Sequence, residues 1–252
     1  MPFARLDGRH ALVTGAGRGL GKACAVELAA AGAMVTLVAR SEGELAEVAE
    51  EIEDAGGCAR IHPADVVDAA AMEEAVAAAE AVAPLGILLT AAGLNRTGPT
   101  ETYDLADFDL LMDVNVRGTF IACQAVGRRM LARGDGGRIV TMSSQMGSVG
   151  YPGRAAYCAG KHAVNGLTKA LAVEWAPRGI TVNAVAPTFV STPMTEPMFK
   201  DPEFAAEVRR RIPGGEIASL DDVAAAVLYL VSDGARSVTG HVLAVDRGWT
   251  AW

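Results

Sequence analysis

Tyr157 and Lys161 stand four residues apart in a 252-residue chain, with Ser144 upstream of both. On a helix, positions four apart share a face, so the phenol and the ammonium would point into one cleft. A free tyrosine has a pKa of about 10 and is a poor acid or base near neutrality. A fixed ammonium beside it favours the phenolate and lowers that value. A drop of roughly three units, about 4 kcal/mol of differential stabilisation, would make the phenol a usable proton donor and acceptor. A serine hydroxyl at the end of a neighbouring strand would hold the oxygen of the reacting group. Taken alone, the pair also fits an ordinary helix without chemistry, so what stands upstream decides.

The surrounding pattern supplies the strand ends and helix starts these side chains need. Apolar runs at 10–14, 34–39, 58–63, 87–90, 137–143, 180–186 and 241–245 read as strands. They alternate with helical stretches at 22–31, 42–55, 69–83, 105–133, the Tyr157 helix running to about 177, and 220–232. Strict alternation predicts an α/β fold, a single doubly wound parallel sheet of Rossmann type with helices on both faces. No linker, repeat or low-complexity tract divides the chain, so 1–252 reads as one domain. Residues 188–216 break the alternation, and their Pro, Met, Phe and Arg content suits a mobile substrate lid.

Composition excludes several classes. Half of the chain is hydrophobic and aromatics are few, which suits helices packed closely on a sheet. The net charge of −8 argues against nucleic acid or an anionic membrane as partner. The first eight residues show no signal-peptide pattern. The most apolar stretch, Ala75 to Leu94, is broken by Glu80, Pro84 and Gly86, too soon to span a bilayer. Cys24, Cys58, Cys123 and Cys158 are scattered and read as reduced thiols of a cytoplasmic protein. His10, His62, His162 and His241 form no ligand cluster, so no metal is expected.

The first strand ends in Thr14-Gly15-Ala16-Gly17-Arg18-Gly19-Leu20-Gly21. Glycines permit a tight turn and let a pyrophosphate approach the backbone. A helix starting near Leu20 would offer that pyrophosphate its N-terminal amides. Glycine clusters are common in tight turns, but here one follows the first strand and opens a helix, as a dinucleotide site requires. The second strand ends Val38-Ala39-Arg40-Ser41, with no acid where an NAD site usually holds the ribose. Arg40, with Arg18 from the other side, would pair with a 2′-phosphate, so NADP(H) is the expected cofactor and NAD(H) the alternative. Glu42 and Glu44 lie too far along to serve as the usual ribose-binding acid.

Taken in order, these residues resemble the short-chain dehydrogenase/reductase family over essentially the whole chain. The loop from Thr14 to Gly21 resembles its TGxxxGxG motif, and Asp65-Val66 its adenine contact. Thr90-Ala91-Ala92-Gly93 stands where the family has NNAG, and Asn115 matches its catalytic-site asparagine. Ser144, Tyr157 and Lys161 match its serine, tyrosine and lysine; Asn183-Ala184-Val185-Ala186-Pro187 matches the segment beside the nicotinamide, with Val190 and Thr192 following. Three positions depart: Thr90 for asparagine, Thr188 for glycine and Gly160 for serine. None removes a group that performs chemistry.

The resemblance implies hydride transfer between a nicotinamide and a carbonyl or alcohol carbon. Tyr157 would give or take the proton, Lys161 would lower its pKa and bind the nicotinamide ribose, and Ser144 would orient the substrate oxygen. Asn115 would support a water chain to solvent. The run from Ala186 to Met194 and the ending Asp246-Arg247-Gly248-Trp249-Thr250-Ala251-Trp252 resemble members acting on sugar acids and polyols, such as gluconate 5-dehydrogenases. A carboxylate would need a cation, and Arg96 or Arg209 to Arg211 are the candidates. The alternatives are a 3-oxoacyl thioester or broad ketone reductase and, in another class, a non-catalytic NADP(H) sensor. The family implies a homotetramer, with 111–125 and 163–173 packing between subunits. Trp249 and Trp252 would anchor another interface, or else cap the core.

Overall fold

A computed structural model describes residues 4–251. Seven strands form one parallel sheet in the order β3-β2-β1-β4-β5-β6-β7. They are β1 His10–Thr14, β2 Met34–Ala39, β3 Cys58–Pro63, β4 Ile87–Thr90, β5 Gly137–Met142, β6 Ile180–Pro187 and β7 Val242–Val245. The helices between them are α1 Gly19–Ala30, α2 Glu42–Asp54, α3 Ala69–Val82, α4 Leu105–Met112, α5 Gly118–Arg133 and α6 Ala155–Trp175. After β6 come α7 Glu196–Phe199, α8 Pro202–Arg211 and α9 Leu220–Val231.

Strand side chains alternate between two cores. Ala11 and Val13 of β1 face a core with Leu28 of α1, Val48 of α2 and Val227 of α9. Leu12 faces the other, with Met72 of α3, Val126 of α5 and Leu171 of α6. Both faces of the sheet are therefore dry, and β1, β4 and β6 are buried along their whole length. Strand order reverses between β1 and β4, where the crossover helices leave to opposite faces and their carboxyl ends open a crevice.

The single helix expected over 105–133 is interrupted. A π-type turn, Asp113–Arg117, joins α4 to α5. Such turns concentrate at functional positions, and this one holds Asn115, which is buried. The first helix begins at Gly19, earlier than 22, because the end of the glycine loop is already helical. A third apolar cluster sits over the carboxyl end of the sheet, built from Met146, Phe189, Val208, Ile212 and Trp249. Trp249 therefore packs within the subunit, with its ring 5.7 Å from Phe189. Trp252 lies outside the described residues. No helix among the described residues is long and apolar enough to cross a membrane.

Candidate active site

The glycine loop packs as its residue types demand. Gly15 has φ +67°, and a β-carbon there would fall 2.5 Å from the Ala92 backbone nitrogen. A β-carbon on Gly21 would fall 2.1 Å from the Gly15 carbonyl oxygen. No side chain fits at either point, so the loop closes tightly on itself and against the segment that follows β4. The Ala92 amide donates to the Thr14 hydroxyl at 3.4 Å, tying the two strand ends together. Helix α1 starts at Gly19, so its free amides face the crevice.

One cleft of about 590 Å³ runs from this loop to the tyrosine. Gly15, Arg18, Gly19, Leu20 and Gly21 line one end, with Arg40, Asp65 and Val66 beside them. Ser144, Tyr157 and Lys161 line the other, and Ala92, Gly93, Pro187, Val190 and Thr192 complete the lining, with Ala92 against Gly15 and Thr192 beside Gly19. Glu44 also lines the cleft and lies 3.7 Å from Arg18. Ser41 caps α2 by accepting from the Glu44 N–H at 3.3 Å. Among the described residues Arg40 has no acidic partner and stands exposed at the mouth.

Asn115 does not line the cleft. Its amide oxygen accepts from the Leu94 N–H and its amide nitrogen donates to the Leu94 carbonyl, both at 2.9 Å. Its own carbonyl accepts from the Thr119 hydroxyl at 2.8 Å. A β-carbon on Gly93 would lie 3.2 Å from the Asn115 amide oxygen and 3.8 Å from Lys161 Nζ. The asparagine therefore clamps the segment that passes beside the lysine.

Helix α6 carries Tyr157 and Lys161, while Ser144 follows β5 and caps a short turn by accepting from the Met146 N–H at 3.2 Å. Lys161 is buried and donates to the Met142 carbonyl at 2.8 Å. Burial pulls its pKa down to about 8. Its nitrogen stands 5.6 Å from the centre of the Tyr157 ring. Burial pushes the Tyr157 phenol up from its ordinary value, against a hydrogen bond from Ser144 and the charge of Arg154. This differs from the expected division of labour: without cofactor the lysine points at a carbonyl, and the serine and Arg154 favour the phenolate.

Asn165 was not anticipated, although its spacing of four from Lys161 was the available signal. It accepts from the Ser143 hydroxyl at 2.6 Å and donates to the Gly147 carbonyl at 2.8 Å. Those bonds fix the segment that carries Ser144.

At the tyrosine end a second cavity of about 60 Å³ adjoins the cleft. Asn95, Gln145, Arg154, Thr188 and Met198 line it together with Ser144 and Tyr157. None of the first four was singled out for substrate binding from the sequence; only Arg154, three residues before Tyr157, had a spacing that helps. The arginines that were singled out are elsewhere. Arg96 pairs with Asp107 at 3.1 Å, half-exposed. Arg211 pairs with Glu207 at 2.8 Å and lies over the Tyr151 and Trp249 rings, while Arg209 and Arg210 are exposed. None of these lines the cleft or the cavity.

Fold and site together define a Rossmann-type protein with a phosphate-binding glycine loop and a tyrosine–lysine–serine group in one cleft. A family model described as enoyl-(acyl carrier protein) reductase matches residues 15–250. The galactitol 2-dehydrogenase (L-tagatose-forming) of Cereibacter sphaeroides is 46% identical, over 98% of this chain and 97% of its own. A putative NAD(P)-dependent gluconate 5-dehydrogenase from Beutenbergia cavernae, crystallised with NADP, is 42% identical with a TM-score of 0.94 over 100% of both chains. A gluconate 5-dehydrogenase from Burkholderia cenocepacia, in complex with NADP and tartrate, is 36% identical with a TM-score of 0.95, covering 98% of this chain and 97% of that one. The chain belongs to the short-chain dehydrogenase/reductase family and is an oxidoreductase.

Proposed function

We propose that the protein transfers a hydride between NADP(H) and the secondary alcohol or carbonyl carbon of a sugar acid or polyol. The observation that carries this is the continuity of one cleft from the glycine loop to Ser144, Tyr157 and Lys161. The cleft fits a dinucleotide: backbone stands where side chains would block a pyrophosphate, and Asp65 and Val66 form a wall for the adenine. Arg40 favours a 2′-phosphate, and relatives crystallised with NADP support that preference, with NAD(H) as the alternative.

When bound, the cofactor carries the hydride chemistry. In the reductive direction Tyr157 gives its phenolic proton to the carbonyl oxygen as hydride reaches the carbon. In the oxidative direction it takes that proton back. Ser144 holds the same oxygen beside the phenol. Lys161 holds the nicotinamide ribose and supplies positive charge. Asn115, bonded to Leu94, positions the backbone that separates it from Lys161. Residues 1–252 act as one unit, and 188–216 is the lid that completes the substrate side.

The large exposed side chains of Leu105, Phe108, Leu110, Phe120 and Val173 support assembly through α4, α5 and α6, in a homotetramer. Cys24, Cys58, Cys123 and Cys158 are all unpaired, which supports a cytoplasmic setting.

The test is a spectrophotometric screen of sugar acids, polyols, simple ketones and 3-oxoacyl thioesters with both cofactors. Turnover is expected with sugar acids or polyols, faster with NADP(H). Turnover of thioesters alone would transfer the reading to that substrate class. Tight NADPH binding without turnover of any substrate would make the protein a sensor.

A further inference from the structure

Arg154 is a buried cation with no acidic partner among the described residues. Only 4% of it is exposed, and no carboxylate lies within ion-pair distance among the described residues. Its guanidinium lies 5.6 Å from the centre of the Tyr151 ring and 5.5 Å from that of Phe189. Its Nη2 approaches only the Met198 sulfur, a weak acceptor, at 2.9 Å. The groups whose charge acts on it are Tyr157, Tyr151 and Cys158, none of them a carboxylate. A guanidinium stays protonated at any physiological pH, so the cation is present but not neutralised. Leaving a buried cation unpaired costs free energy that an incoming anion would recover.

The cavity beside it is polar in the same unfinished way. Both amide atoms of Gln145 and the hydroxyl of Thr188 are buried without a hydrogen-bond partner, as is the amide oxygen of Asn95. Gln145 is 2% exposed and Thr188 8%. Buried polar groups are nearly always paired in folded proteins, and unpaired ones gathered around one cavity point to a missing ligand. The cavity, at about 60 Å³, has room for a carboxylate. It shares Ser144, Tyr157, Thr188 and Asn95 with the large cleft. A longer molecule would thus lie with its reacting carbon at Tyr157 and one end in the cavity.

We propose that Arg154 binds the terminal carboxylate of the substrate, with Gln145, Asn95 and Thr188 taking adjacent hydroxyls, so that the preferred substrate is a sugar acid rather than a neutral polyol. This rests on the oxidoreductase reading above and narrows it. A planar guanidinium suits a carboxylate through two parallel hydrogen bonds, whereas a neutral terminal hydroxyl leaves the charge unanswered. The Tyr151 and Phe189 rings, packed edge to face with centroids 6.0 Å apart, hold the guanidinium in place before the anion arrives.

The test compares D-gluconate with D-glucitol, which differ in a carboxylate against a terminal hydroxymethyl. Wild-type protein, Arg154→Gln and Arg154→Lys are assayed for turnover of both, and gluconate binding to the NADP⁺-loaded protein is followed by calorimetry. Arg154→Gln is expected to raise KM for gluconate on the order of 100-fold relative to KM for glucitol, while any loss of kcat from weaker support of the Tyr157 phenolate falls on both sugars alike. Arg154→Lys should recover part of the gluconate loss, because it restores charge without the fork. Unchanged NADPH affinity would show that the variants keep the cleft. An equal rise in KM on both sugars, or a gluconate KM and affinity that ignore Arg154, would overturn the proposal. So would a wild-type protein that turns over glucitol and leaves gluconate unbound, although the oxidoreductase reading would survive. Arg154-dependent gluconate binding with no turnover of either sugar would keep the carboxylate site and remove the reaction.

Discussion

The wide cleft and the small cavity at its end are built by opposite means. The cofactor end of the cleft depends on a close-packed backbone loop: at Gly15 and Gly21 a β-carbon would meet backbone atoms at 2.5 and 2.1 Å. The cavity is made of side chains from separate segments, with Asn95 after β4, Gln145 after β5, Arg154 at the start of α6 and Thr188 after β6. A site made of backbone tolerates few residue types and leaves them at fixed spacing. A site made of side chains accepts many sets of residues and leaves no spacing. The first serves a cofactor common to many reactions, and the second serves one substrate class.

Tyr157→Phe makes the sharpest cut between the two regions. It removes one oxygen at the boundary and leaves the glycine loop untouched. The expected result is a fall in kcat on the order of 10³-fold with NADPH affinity unchanged. Residual turnover near the wild-type rate, measured with any active substrate, would remove the phenol from proton transfer.

Gly21→Ala attacks the other side of the comparison. The added methyl meets the Gly15 carbonyl oxygen at 2.1 Å, a backbone atom that cannot rotate away. The loop must open, at a cost of roughly 2 kcal/mol in stability. NADPH affinity should fall about 100-fold, because the same backbone faces the pyrophosphate. Retained affinity, titrated by NADPH fluorescence, would show that the loop is not the phosphate site.

Lys161 sits at the seam, and its burial predicts a pH dependence of stability. Its pKa is about 8 in the folded protein, against an ordinary value of 10.5. Below pH 8 the folded state carries a buried charge at a penalty of roughly 3 kcal/mol. As pH rises from 8 toward 10.5 the unfolded state binds more protons than the folded one, and the penalty fades. Lys161→Met should therefore raise the melting temperature of the cofactor-free protein at pH 7 by a few degrees, net of the lost bond to Met142. The gain should shrink at pH 10. A gain that grows with pH would mean that the ammonium is stabilised in the fold.

Fold and cleft were legible from the sequence because their signals are local. Four strand boundaries, 10–14, 34–39, 58–63 and 87–90, match the structure residue for residue. Each is an apolar run closed by Gly, Pro or a polar turn, and period and punctuation suffice. The π-type turn at Asp113–Arg117 left no such mark, because every residue in it also suits an α-helix. The pairing of Glu44 with Arg18 left no mark either, because it joins the glycine loop to the first turn of α2 across the cleft. The cavity was illegible for a different reason. Arg154 differs from Arg96 and Arg211 in having no acidic partner among the described residues, and only three-dimensional packing reveals that difference.

Arg96→Ala should have the smallest effect, and it tests that difference directly. Arg96 follows the Ala92-Gly93 loop, so its position in sequence suits a carboxylate ligand as well as that of Arg154. Its Nε is already held by Asp107 at 3.1 Å, and its side chain is 52% exposed. An exposed pair of this kind contributes about 0–1 kcal/mol. Truncation leaves the Arg96 backbone carbonyl, which accepts from the Tyr103 hydroxyl at 3.1 Å, in place. The melting temperature should therefore shift by less than about 3 °C. KM for gluconate and for glucitol should stay within about twofold of wild type. A selective rise in gluconate KM here, with none in Arg154→Gln, would mean that the loop arginine leaves Asp107 to meet the substrate. The carboxylate site would then lie at the cleft's exposed rim, and the unpaired charge of Arg154 would be held by the Tyr151 and Phe189 rings alone.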